Sequence, residues 1–69
     1  MKLSARNILI GKVIRIVTGA VNSEISLELS GGAKITSIIT NESVKTLGLA
    51  EGQDAYAVIK ASEVMIAVD

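Results

Sequence analysis

The sequence predicts a mainly β fold, a small five-stranded Greek-key barrel with one short helix between the third and fourth strands. Three observations predict it. β-Branched residues dominate the long apolar stretches of the 69-residue chain. Apolar and polar residues alternate with a period of two near its middle. That period breaks once, between Thr40 and Gly52, where the spacing turns helical.

The elements follow in order. In "ILIGKVIRIVT" (8–18), Lys12, Ile14, Ile16 and Thr18 share one parity, and Val13, Arg15 and Val17 the other. This reads as a strand with one mostly apolar face and one mixed face. "GAVN" (19–22) has turn composition. In "ISLELS", Ile25, Leu27 and Leu29 alternate with Ser26, Glu28 and Ser30, as in a half-buried strand. Gly31 and Gly32 supply a tight hairpin, and "AKITSIIT" (33–40) returns as the third strand. In "TNESVKTLGLAEG", Val44, Leu47 and Leu49 face inward from a short helix. Thr40 or Asn41 caps it, Glu42 favours its positive end, and Gly48 takes the left-handed position after its last turn. "DAYAVIKA" (54–61) and "EVMIAVD" (63–69) are the last two strands, separated by Ser62. Five short strands with this one helix make an OB-type barrel, a single domain over 1–69 without internal repeat.

A domain this small is marginal alone. Disulfides, a structural metal or oligomerisation are the usual remedies. The chain has no cysteine and no histidine, which removes disulfides and thiolate or imidazole metal sites. Hydrophobic residues make up 49% of it, yet Tyr56 is its only aromatic residue. So aliphatic a chain exposes apolar surface as a monomer, and a homo-oligomer is expected. No segment has the pattern of a signal peptide or of a membrane span, which points to the cytoplasm. Seven basic and seven acidic residues cancel, so neither nucleic acid nor an anionic membrane is an expected partner.

Catalysis is not expected either. The carboxylates Glu24, Glu28, Glu42, Glu51, Asp54, Glu63 and Asp69 match no catalytic dyad, and the usual nucleophile and base pairs lack members. No residue set offers direct protein ligands to a metal cation. A nucleic-acid-binding barrel needs stacking aromatics and a basic groove, which one tyrosine and zero net charge do not supply. "SGGAK" lacks the spacing of a phosphate loop and is explained as a hairpin.

Three polar clusters remain: Ser4 and Arg6 in "SARN", Thr40 and Ser43 in "TNES", and Lys60 and Ser62 in "IKAS". Singly they are surface cations, helix caps and a turn residue. Together, two cations, several hydroxyls and the free N–H groups of a helix start suit a small dianion. Such donors fit a tetrahedral oxyanion, whether sulfate, phosphate, molybdate or tungstate.

"SARN", "GAVNSE", "ITSIITNESVKTLGL" and "YAVIKASEVMI", in this order, resemble the molbindin (Mop) family, small molybdate-binding proteins built on the TOBE domain, an OB-like fold. The resemblance spans essentially the whole chain. It implies a protein without enzymatic activity or organic cofactor that stores or buffers molybdate, with tungstate as its analogue. It implies a hexamer, a trimer of dimers, with oxyanions between subunits. Carried over by position, Ser4, Arg6, Lys60 and the N–H of Ala61 come from one subunit, with Ser62 as an extra donor. Thr40 and Ser43 come from its neighbour. A second oxyanion position would use backbone amides around Gly19 and Val21. The alternatives are a structural oligomerisation module and an OB-type nucleic-acid binder.

Overall fold

The computed structural model describes all 69 residues. Strand β1 (Asn7–Thr18) pairs antiparallel with β2 (Asn22–Leu29), and β2 with β3 (Lys34–Thr40). Helix α1 (Asn41–Leu47) leads to β4 (Asp54–Ile59), which pairs with the other side of β1. The sheet order is β3-β2-β1-β4. Ile35 and Ile39 from one edge strand and Ala55 and Ala57 from the other pack against the same core of Val13, Ile25 and Leu27. The sheet is therefore curled, as a mainly β, OB-like half-barrel.

The alternation in β2 places Ile25 and Leu27 in the core and extends it to Ser23, the one buried polar residue, 2% exposed. In β1 the simple parity does not hold. Val13 pairs with Leu27 but Arg15 with Ser26, so the register slips at Ile14. Such a bulge inserts a residue and reverses the facing of everything beyond it. Val13 and Ile16 consequently join the same core, although the sequence sets them on opposite parities.

Thr40 is the N-cap, its Oγ1 accepting from the Ser43 N–H at 3.0 Å. The helix ends at Gly48, whose φ of 64° is the left-handed conformation that a side chain resists. Val44 and Leu49 pack on the core, but Leu47 is exposed rather than inward. Gly31 and Gly32 form the hairpin, both with positive φ.

The fifth strand expected over 63–69 does not form. A 3-10 turn (Ala61–Glu63) follows β4, and Val64–Asp69 joins no sheet. Met65, Ile66 and Val68 are each more than 85% exposed. The outer edges of β3 and β4 stay unpaired, so the barrel remains open along one side. A cleft of about 600 Å³, lined by Ile35, Ile39, Leu49, Ala57 and Ile59 among others, lies between them. The strand pattern of 63–69 reports propensity, and propensity does not say which edge a strand meets. Apolar surface is exposed on the outer face too, where Ile10 pairs with Tyr56 and Ile8 with Val58.

Candidate functional site

Asn7 opens β1 and pairs with Ile59, which closes β4; the Asn7 Nδ2 also donates to the Ile59 carbonyl at 3.3 Å. The residues just outside this pair are Arg6 and Lys60. Both cations therefore leave the sheet at the same corner, one residue beyond its last pair, with Ser4 preceding one and Ala61 and Ser62 following the other. The protein's one ion pair, Lys12 with Asp54 at 3.9 Å, lies elsewhere. Arg6 and Lys60 are exposed and have no carboxylate partner. The N–H of Ala61 opens the 3-10 turn, where a first residue has no acceptor within its own helix.

Thr40 and Ser43 lie at the opposite end of the sheet and on its other edge strand, since Thr40 ends β3 opposite Asn22. The Thr40 hydroxyl donates to Ser43 Oγ at 2.8 Å while accepting from the Ser43 N–H. Its hydrogen bonds stay inside the cap, and the Ser43 hydroxyl keeps its own proton free to donate outward. Both residues line a shallow concavity of about 330 Å³ with Glu42, Thr46 and Leu47, and no cation lines it. No hydrogen bond or ion pair links this corner to Arg6 and Lys60. A single chain therefore carries two separate donor clusters, one cationic and one of hydroxyls.

Gly19, Ala20 and Val21 form the turn joining β1 to β2. The Gly19 N–H donates to the Asn22 carbonyl at 2.9 Å, so it is committed within the turn. A Cβ at Gly19 would stand 2.7 Å from that same carbonyl oxygen, so the turn closes only around glycine. The N–H groups of Ala20 and Val21 have no acceptor within the chain.

Sequence reasoning missed the brace behind this turn. The Asn41 N–H donates to the Val21 carbonyl at 2.8 Å, and its Nδ2 donates to the Gly19 carbonyl at 2.9 Å. Its Oδ1 accepts from the buried Ser23 hydroxyl. One signal was present: Ser23 shares the parity of Ile25, Leu27 and Leu29, and a polar residue in an apolar row needs a buried partner.

A small OB-like β protein whose exposed cations, hydroxyls and backbone amides lie at separate corners offers donors and no acceptor-rich or nucleophilic centre. The chain belongs to the TOBE domain family, whose model matches residues 3–66. It is 52% identical over 66 residues to molybdenum-pterin-binding protein 1 of Clostridium pasteurianum, covering 96% of this chain and 97% of that protein. Among solved structures it resembles apo MopII of Clostridium pasteurianum, with a TM-score of 0.92 and 49% identity over 97% of this chain and all of that one. It also resembles ModG, described as a cytoplasmic molybdate-binding protein and solved with molybdate bound. There the TM-score is 0.91 and the identity 58%, over 94% of this chain and 46% of that chain. The resemblance to the Mop family thus holds along nearly the whole chain, and the relatives bear the names of molybdenum-pterin-binding and molybdate-binding proteins.

Proposed function

We propose that this protein reversibly binds molybdate, and tungstate with it, storing or buffering the oxyanion in the cytoplasm without chemical change. The observation that carries this reading is the Asn7–Ile59 pair, next to which Arg6 and Lys60 leave the sheet at one corner with no carboxylate in an ion pair with either. The oxyanion accepts from Ser4, Arg6, Lys60, the Ala61 N–H and Ser62 of one subunit, and from Ser43 of its neighbour, with Thr40 joining when its hydroxyl proton turns from Ser43 Oγ to the ligand. Two cations balance a dianion, so it can shed water without leaving a buried charge unpaired. Selection against sulfate rests on cavity size, because charge and shape are shared. A singly charged, protonated phosphate is disfavoured relative to a dianion, because it balances only one of the two cations.

The assembly is a homo-oligomer, a hexamer arranged as a trimer of dimers. Two features support it: half-sites at separate corners of one chain, and an apolar tail left outside an apolar cleft. The tail of one copy, laid along a free strand edge of another, buries both surfaces and completes the sheet. The names of the relatives support the ligand, and the molybdate-bound ModG supports it most directly.

Native mass spectrometry of the purified protein, with molybdate and with sulfate as control, tests the proposal. A hexamer gaining several molybdates but little sulfate is expected. A hexamer gaining neither would leave a structural oligomerisation module, which the exposed apolar surface also suits. A monomer would remove the intersubunit site altogether.

A further inference from the structure

We propose that Asn41 is a positioning residue for the turn between β1 and β2, aiming the Ala20 N–H outward as a donor to a bound oxyanion. The inference rests on the oxyanion reading above and adds to it the residue that shapes the turn.

The argument starts from peptide geometry. In a trans peptide the carbonyl of one residue and the N–H of the next point in opposite directions. Every peptide bond in this chain is trans. The Asn41 Nδ2 holds the Gly19 carbonyl at 2.9 Å, so the Ala20 N–H points away from Asn41. The Val21 N–H beside it has no intrachain acceptor either. Gly19 closes the turn onto Asn22, which leaves that loop little freedom to reorient.

Asn41 is itself held. Its backbone N–H is fixed on the Val21 carbonyl at 2.8 Å, and its Oδ1 is fixed by Ser23, a buried residue that pairs with Ile39 of β3. The Gly19 carbonyl can only accept, so it selects the amide orientation that turns Nδ2 toward it, and the Ser23 hydroxyl, able to donate or accept, secures that orientation by donating to Oδ1. Aspartate at this position fills the same space but has no N–H for the Gly19 carbonyl. Alanine removes both contacts.

The test is a molybdate titration of the intact, ¹⁵N-labelled protein, followed through the backbone amide resonances, with sulfate as control. In the native protein the Ala20 and Val21 resonances should shift and saturate, together with those of Arg6 and Ala61. In Asn41→Ala, half-saturation at Ala20 and Val21 should require at least roughly ten-fold more molybdate. The response at Arg6 and Ala61 should move much less. Asn41→Asp serves if the alanine variant fails to fold, with the same split expected. Ser23→Ala in the native background should weaken the turn's response less than either. A purely structural role would lower the melting temperature without separating the two groups of resonances. An unchanged turn response in both Asn41 variants overturns the inference and leaves the oxyanion reading standing. So does a native turn that stays silent while Arg6 and Ala61 respond. Silence at every residue overturns both.

Discussion

Asn7 and Ile59 stand opposite each other on neighbouring strands, and the Asn7 side chain donates to the Ile59 carbonyl. That pair converts two distant stretches of sequence, "SAR" and "KAS", into one surface. Like charges gathered at one corner without a carboxylate repel each other, and a dianion bound there would relieve that repulsion.

Removing either cation should therefore weaken binding strongly. Charge-assisted hydrogen bonds contribute about 1.5–3 kcal/mol each, so Arg6→Ala and Lys60→Ala should each raise the molybdate Kd roughly ten- to 150-fold. Lys12→Ala is the control: that lysine is engaged with Asp54 on an exposed part of the sheet, away from the corner. Titration calorimetry on the three variants checks this, and equal affinities for Arg6→Ala and Lys12→Ala would refute the assignment.

Two glycines separate strain from collision. Gly48 has a φ of 64° with open space where a Cβ would stand, so Gly48→Ala is charged only for its left-handed backbone, about 1 kcal/mol. At Gly19 the added Cβ meets a backbone oxygen at 2.7 Å, and the turn itself must move. Gly19→Ala should cost roughly 2 kcal/mol or more. Thermal melts at matched protein concentration should rank Gly19→Ala well below Gly48→Ala.

Local patterns made most of this architecture readable. The alternation around Ile25 and Leu27, the paired glycines of the hairpin and the Thr40 cap are each decided by neighbours in sequence. Arg6 and Lys60 were legible as candidates because donors without acceptors suggest an anion. Their adjacency depends on register, a property of two strands rather than of one. The slip at Ile14 was invisible for a related reason, since its pattern is compatible with either facing until Leu27 and Ser26 take their partners. Leu47 misled because helical spacing names a face without saying how far the helix leans from the core. The tail misled because its apolar residues report strand propensity, and neither free edge of the chain's own sheet takes it up.

The proposed division of the site between subunits has a direct consequence for mixed assemblies. Arg6→Ala removes the cationic half-site, and Ser43→Ala impairs the hydroxyl half-site; homogeneous assemblies of either should bind poorly. Co-refolded together, they recreate native sites wherever the Ser43→Ala chain supplies Arg6 and the Arg6→Ala chain supplies Ser43. Titration of the mixture should recover a fraction of high-affinity sites absent from both parents. If the whole site lay within one chain, mixing would recover none.

The tail carries the last prediction. Val64, Met65, Ile66 and Val68 leave apolar side chains in water in the isolated chain, and the cleft between β3 and β4 offers apolar lining with free strand edges on either side. Full burial of such side chains contributes roughly 1.5–3 kcal/mol each, enough in sum to decide whether chains associate. Ending the chain after Glu63 should leave Arg6, Lys60 and the helix cap in place but lower the assembly's mass in analytical ultracentrifugation. High-affinity molybdate binding should fall with it, because the two half-sites no longer meet. A peptide of residues 64–69 added in trans should bind the truncated protein and protect the backbone amides of the edge strand it pairs with from hydrogen exchange. An assembly of unchanged mass after truncation would mean that the outer face around Ile10 and Tyr56 holds the subunits together instead.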